Sequence, residues 1–495
     1  MDKLLAEGAS LTPALLASDE DSYDKQATNL SAKLQAIPAA QLVSKDVLDS
    51  LEPTAQTITY LSIVSAGIKN VTGSGKAVSG QLARSLLPDQ DFWPYITNIL
   101  LNFDPIQVRY AGHCLTEIVT VVGIGAEQTQ NYVPAIQLLS NVILRLDTSS
   151  STFTSTHHIY VRLCLRARAY ADALNIIDRP IYHIPASIDK QVEARAYKYR
   201  CSVQDSSASY ITLASGLTQK ITSRMFLDYN FMCALCYMAL GQYSKAIPLL
   251  EVILIAPTAS GVTSLLAVEA YKKWVLLNLL ILGYLPEYPR PAYQATMRNV
   301  RTLAKPYDCL AETFKQREPQ RLFAEANEGQ TVWQEDCNMG LVMEVLQAHR
   351  KYSVLRMAKL FASVNVSHVE AQLPPDQNGT PIQVYLQNLI STGELRATIT
   401  PSQDGSDQIL RFLPEATSTR SEAATEQQLN SRSQLLHALI KHVGDAEYCM
   451  EISKEHIDTL KKLKKNRDDD NKKGPGSKPS ATLDEMDEDM MADEL

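Results

Sequence analysis

Cys233-Ala-Leu-Cys236 is the pair in this chain with the most reactive spacing. A C-x-x-C pair can supply half of a zinc site, or the redox couple at the start of a thioredoxin-like helix. A zinc ribbon needs a second pair at usable distance, and the chain has none. A redox couple needs a strand before it, whereas this pair lies in the middle of a helical pattern, so packing cysteines are expected. Thr72-Gly-Ser-Gly-Lys-Ala77 approaches a phosphate loop but has Asn70 where the first Gly belongs and Ala77 where Ser or Thr would hold magnesium. It reads as a loop. His157-His158, His437 and His442 form no H-E-x-x-H, and neither a G-x-S-x-G elbow nor a G-x-G-x-x-G after a strand occurs. The expectation is a chain with no catalytic residue, no metal ligands and no cofactor, hence not an enzyme.

Binding chemistry is better represented. Lys351 to Leu413 reads as a winged helix. Val354, Met357, Ala358 and Phe361 make one apolar stripe, and Ser363 to Val366 reads as a connection. Ser367 and Glu370 predict a capping box on a second helix that stops before Pro374-Pro375. Thr380 as N-cap and Pro381 at the first position open a third helix striped by Ile382, Tyr385, Leu386, Leu389 and Ile390, with Gly393 as its left-handed cap. Two alternating runs, 394–400 and 408–413, flank a Gly-containing turn and predict a hairpin. A winged helix can enter a major groove, but its third helix here, Pro381 to Thr392, carries no Lys or Arg, and the turn offers Asp404 and Asp407. Phosphate neutralisation needs cations. The cationic run Lys461, Lys462, Lys464, Lys465, Arg467 is either a solvated helix end or a nuclear localisation signal.

The elements around this domain are helical. With 45% hydrophobic and 21% charged residues, 495 residues suffice for several packing units, and a net charge of −8 argues against binding nucleic acid by charge alone. Eight scattered cysteines predict reduced thiols, and the acidic amino terminus does not resemble a signal peptide, so cytoplasm and nucleus are expected. The apolar run Trp274 to Leu285 contains Asn278 and Gly283 and is too short to span a bilayer.

Residues 1–150 predict helical repeats ending at a polar Ser/Thr loop, 147–156, read as a boundary between packing units. Residues 151–334 continue with repeats of tetratricopeptide (TPR) type. The clearest runs from Tyr229 to Pro257, with Ala234 and Ala239 in a first helix, Leu240-Gly-Gln-Tyr243 at the turn and Ala246 beyond it. Leu163 to Asp178 echoes it. The winged helix, 335–415, caps this solenoid. Beyond it, 416–465 predicts a long helix with a heptad seam of Leu436, Val443, Met450 and Ile457, matched by Leu439, Ala446, Ser453 and Leu460, and Gly444 offers a kink. Residues 466–495 are expected to form a disordered acidic tail.

This mainly α architecture, a TPR-like solenoid capped by a winged helix and followed by a long carboxyl helix, resembles the PCI proteins. These are scaffold subunits of the proteasome lid, the COP9 signalosome and the translation initiation factor 3 complex. The closer resemblance is to the subunit 3 family of the signalosome. It is carried by Phe103-Asp-Pro-Ile-Gln-Val-Arg-Tyr-Ala111, His158-Ile-Tyr-Val-Arg-Leu-Cys-Leu165, Leu240-Gly-Gln-Tyr-Ser-Lys-Ala246, Glu269-Ala-Tyr-Lys-Lys-Trp-Val-Leu-Leu277 and Asp336-Cys-Asn-Met-Gly-Leu-Val342. The resemblance implies a non-catalytic scaffold in the complex that removes NEDD8 from cullins, with the isopeptidase in another subunit. It implies a hetero-oligomer with other PCI and MPN-type subunits, indirect contact with cullin-RING ligases, and neither nucleic acid nor membrane as partner. Winged helices then align side by side and carboxyl helices bundle. The expected partner-binding residues are Leu436, Leu439, Val443, Met450, Ile457 and Leu460 on the seam, and Leu395, Ile399, Ile409 and Phe412 on the hairpin, whose strands 394–400 or 408–413 would pair by an edge. A proteasome-lid scaffold and a winged-helix nucleic-acid adaptor remain the alternatives.

Overall fold

A computed structural model of the chain describes residues 2–462 except 44, 73–81, 89, 186–205, 258–261, 290–293, 317, 374–380, 402–407, 414–421 and 453–460. The phosphate-loop look-alike, Thr380, the wing turn, Ile457, Leu460 and the acidic tail therefore lie, wholly or nearly so, outside the described residues.

Helix follows helix in antiparallel pairs. The main ones are α1 (Glu20–Ala36), α2 (Thr57–Thr72), α3 (Gly112–Thr129), α4 (Val133–Leu146), α5 (Ser155–Ala167) and α6 (Tyr170–Ile177). Then come α7 (Ser223–Ala239), α8 (Tyr243–Ile255), α9 (Leu265–Leu282) and α10 (Lys305–Lys315). Side-chain caps start several of them. Asp19 accepts from the Ser22 amide ahead of α1, and Thr222 accepts from the Met225 amide ahead of α7. The α7–α8 hairpin is the predicted repeat. Gly241 turns it at φ +70°, and Ala234 and Ala246 are buried where the helices touch. Ala239, expected at the same contact, is exposed because it sits on the last turn of α7.

Not all of the 1–150 stretch is α-helix. A 3-10 turn, Gln107–Tyr110, precedes α3 because Asp104 Oδ2 accepts from the Gln107 amide and fixes a tight turn there. Nor does the core divide at residue 150. One apolar core runs from Leu11 to Cys236, through the Ser/Thr loop, and a second runs from Ala234 to Leu346. The loop is buried because its polar groups satisfy one another. Asp147 accepts from the amides of Ser149 (2.9 Å), Ser151 (2.9 Å) and Thr152 (3.3 Å), and from Ser149 Oγ (2.6 Å). Burial pushes the Asp147 carboxyl up, but the Ser149 and Ser207 hydroxyls and these amides outweigh it and hold the group below its usual range.

The winged helix has a core of its own. Its first helix is longer than its apolar stripe predicts. α11 (Met339–Leu360) buries Val342, Val345 and Leu346 in the second solenoid core, and Val354 and Met357 in the winged-helix core. The stripe that begins at Val354 starts where this helix leaves one core for the other. Ser363 to Val366 is not a plain connection: β1 (Ser363–Asn365) lies there. Helix α12 (Val366–Gln372) takes Asn365 as N-cap, so the Ser367 capping box does not mark its start. Helix α13 (Ile382–Ser391) has Pro381 at the N-cap rather than the first position and ends at Gly393, φ +75°. Strands β2 (Ala397–Pro401) and β3 (Gln408–Phe412) form the hairpin, and the sheet order is β1-β3-β2. Last comes α14 (Glu422–Ile452), 31 residues without a break at Gly444.

Candidate functional site

The hairpin positions its predicted residues unevenly. β3 pairs on both sides, with β1 through Ser363↔Arg411 to Asn365↔Ile409, and with β2 through Ala397↔Phe412 to Pro401↔Gln408. Residues 408–412 are therefore the centre of the sheet and cannot serve as a docking edge, which corrects that part of the expectation. β2 and the short β1 are the edges, and Pro401 removes one donor from β2. Side-chain direction makes a second correction. Leu395 is buried in the domain core, and Ile399, opposite Leu410, packs against it with Phe412. Ile409, one residue out of phase with buried Leu410, is the hairpin member of the predicted set that does not pack on that core.

The third helix, α13, turns Ile382, Leu386 and Leu389 inward and presents Gln383 and Gln387 to solvent. Two cations close to it are already engaged, and Arg350 is engaged with Tyr385 of α13 itself. Lys351 Nζ lies 2.6 Å from Glu394 Oε1, and the Arg350 guanidinium sits 4.6 Å above the Tyr385 ring. Among its own residues α13 presents amides and no Lys or Arg, so it lacks the phosphate-neutralising cations that groove binding needs.

The carboxyl helix is the site with unspent apolar surface. On α14, Leu436 is 55% exposed, Leu439 45% and Val443 48%. Leu429 and Ile440 belong to the same exposed stripe and were not among the predicted residues. Leu429 sits one heptad before Leu436, so the seam starts a turn pair earlier than expected; Ile440 flanks Leu436 one turn on and widens the stripe beyond strict a and d positions. The Met450 side chain is outside the described set. A stripe of this kind needs another helix to cover it.

A polar hub built from two of the motifs above ties the start of α11 to the solenoid. Lys272 Nζ on α9 lies 2.6 Å from Asp336 Oδ1 and 2.7 Å from Glu269 Oε1. Lys273 Nζ reaches Asn338 Oδ1 at 3.2 Å. The Tyr307 hydroxyl on α10 donates to Asp336 Oδ2 at 2.7 Å and accepts from Asn338 Nδ2 at 2.8 Å. Burial alone would lower the Lys272 ammonium, but its bonds to Asp336 and Glu269 prevail and raise it. Asp336 and Asn338 lie immediately before α11, so the hub anchors the start of the helix that carries the wing. Farther along, the Tyr352 hydroxyl donates to Leu280 O at 3.1 Å, and its ring lies against Gly283, φ +73°. Neither motif showed this pairing in sequence, because about 60 residues separate Lys272 from Asp336.

The other quoted motifs are also structural staples. Asp104 N donates to Thr57 Oγ1 at 2.8 Å, Gln107 Nε2 to Ala55 O at 2.9 Å, and Arg109 stacks 3.7 Å over Tyr210. In α5, Tyr160 OH donates to Asp172 O at 2.7 Å.

The candidates for chemistry resolve into packing. Cys233 and Cys236 are buried inside α7, and burial raises both thiols, Cys236 to about 12. His157 Nδ1 accepts from the Thr154 amide at 3.2 Å, which leaves Nε2 to donate to Ser150 Oγ at 2.8 Å. Burial lowers this imidazole to about 4, so it is neutral, and Ser150 is itself buried. Among the described residues there is no group of three His, Cys, Asp or Glu placed to hold a metal ion, and no helix long and apolar enough to cross a membrane.

Comparison with known proteins agrees with this architecture. Residues 20–296 match the family described as "COP9 signalosome complex subunit 3, N-terminal helical repeats". The chain is 30% identical to the COP9 signalosome complex subunit 3 of Emericella nidulans, over 95% of either chain. It is 25% identical to that of Neurospora crassa, over 89% of this chain and 87% of the relative. It is 21% identical to that of Arabidopsis thaliana, over 77% and 75%.

Proposed function

The chain belongs to the COP9 signalosome subunit 3 family, and on that premise we propose that it is a non-catalytic scaffold of the complex that removes NEDD8 from cullin-RING ligases. The observation that carries the scaffold role is the exposed apolar stripe of α14, Leu429, Leu436, Leu439, Ile440 and Val443, on a helix with no core of its own. Partner helices of other PCI and MPN-type subunits cover this stripe, whose heptad pattern continues in the sequence through Met450, Ile457 and Leu460. The open edge of β2 and the outward Ile409 form a second contact with a neighbouring subunit. Hydrolysis of the isopeptide bond takes place in another subunit, and the chain works in cytoplasm and nucleus. The hub at Lys272 and Asp336 supports this reading, since a scaffold must hold its docking domain at a fixed angle to its body.

Native mass spectrometry of the tagged protein, purified from its own cells, tests the proposal. A stoichiometric assembly with cullin-deneddylating activity is the expected result. Co-purification with proteasome subunits, or a solitary monomer, would refute it. A fluorescent fusion confined to a single membrane-bounded organelle would refute the location.

A further inference from the structure

Helix α14 meets the solenoid at an aromatic stack and a cleft, and the face it uses there is not the centre of the apolar stripe. The His442 ring stacks on the Tyr182 ring, centroids 4.3 Å apart and planes 25° from parallel. Around that stack lies a cleft of about 420 Å³, walled by Ser149, Ser151, Pro180 and Tyr182 on one side. Ser431, Gln434, Leu435, Ala438 and His442 wall the other. These five recur at helical spacing and share one face of α14. At 100° per residue, the stripe of Leu429, Leu436, Leu439, Ile440 and Val443 is centred about 140° round the helix from them. The helix is seated mainly by small and polar residues, with the 54%-exposed Leu435 among them, and the centre of its apolar stripe is turned away.

The seat is built before the helix arrives. Tyr182 N donates to Ser151 O at 2.8 Å, His183 N to Ser151 O at 3.2 Å, and Phe153 N to His183 O at 2.9 Å. Ser151 is in turn held by Asp147, and the Arg179 guanidinium donates to Thr148 O. Fixing Tyr182 in this way removes the ordering cost that a mobile aromatic would add on docking. It also gives a second role to the buried Ser/Thr loop, which packs Phe153 into the first apolar core.

We propose that the 149–151 turn and Pro180–Tyr182 form a docking seat for the chain's own carboxyl helix, an intramolecular hold that fixes the direction in which its apolar stripe points. A single ring pair and a partly open cleft make the hold reversible, so the helix swings from the seat when a partner demands another angle. The seat does not depend on which partner covers the stripe, and its failure would leave the scaffold proposal standing.

The test places the photo-crosslinker p-benzoylphenylalanine at position 182 of the full-length chain and maps the products by mass spectrometry. Cross-links within one chain to residues 431–442 are expected. His442→Ala should cut their yield about fivefold, the loss expected of one aromatic pair, with no change in melting temperature. Leu436→Ala, on the opposite face, should leave the yield unchanged. Absence of cross-links to 422–452, cross-links found only between chains in a mixture of light and heavy isotopes, an unchanged yield for His442→Ala, or an equal loss for Leu436→Ala would each overturn the proposal.

Discussion

Asp336→Asn tests the hub with the least change of shape. The substitution removes the carboxylate that Lys272 meets at 2.6 Å and leaves an amide oxygen to accept from the Tyr307 hydroxyl. Lys272 keeps Glu269, at 2.7 Å, as its remaining charge partner. Deleting one member of a fully buried pair costs about 3–5 kcal/mol, and of an exposed pair about 0–1 kcal/mol. The Lys272 and Asp336 side chains are 12% and 15% exposed, close to the buried limit, but Glu269 at 36% exposure offsets part of the loss. A cost of about 2 kcal/mol follows. Because the chain holds more than one core, global unfolding is not expected to be a single step, and the assay should be local. Native-state hydrogen exchange over 339–346 reports the anchoring of α11 directly. A loss of 2 kcal/mol corresponds to roughly thirtyfold faster exchange there. Acceleration under about threefold, or an equal acceleration from Lys351→Ala at the half-exposed Glu394 pair, would refute the reasoning.

The remaining predictions concern acid, backbone and assembly. His157 and His349 are buried and held near 4 in the folded chain against an ordinary 6.5, chiefly by burial. The unfolded chain therefore takes up their protons first, and stability should fall as pH drops from 6.5 to 4, by about 2.5 × 1.36, or roughly 3 kcal/mol per residue. His349→Phe, which keeps a ring edge-on to Phe314, should remove close to half of that fall in a thermal-melt series; an unaltered slope would count against it. Cys337 adopts φ +55° at an exposed position between Asp336 and Asn338, so Cys337→Gly should stabilise the turn by about 1 kcal/mol in chemical denaturation, and destabilisation would contradict the strain argument. Val443→Asp with Met450→Asp should detach the protein from its complex in a pull-down while its circular dichroism and melting stay unchanged; intact assembly would defeat the seam proposal.

Much of the fold was legible in the amino-acid order because it is local. Val133 to Leu146 reads as a helix from its own stripe, and the structure has the helix with those bounds. The Gly241 turn and the Gly393 cap follow from backbone conformations that only a residue without Cβ adopts freely. The heptad pattern was visible because it runs a long way, and the exposure of Leu436, Leu439 and Val443 is that of a stripe that no described helix covers. Three things were decided only in three dimensions. The Ser/Thr loop reads as a linker by composition, yet it is buried, because whether polar groups can leave water depends on partners such as Ser207, far along the chain. The central place of β3 is set by β1, three residues too few to show a strand period. Lys272 and Asp336 look like ordinary surface charges in sequence; the low exposure that makes their pairing strong exists only once α9 and the turn before α11 are packed together.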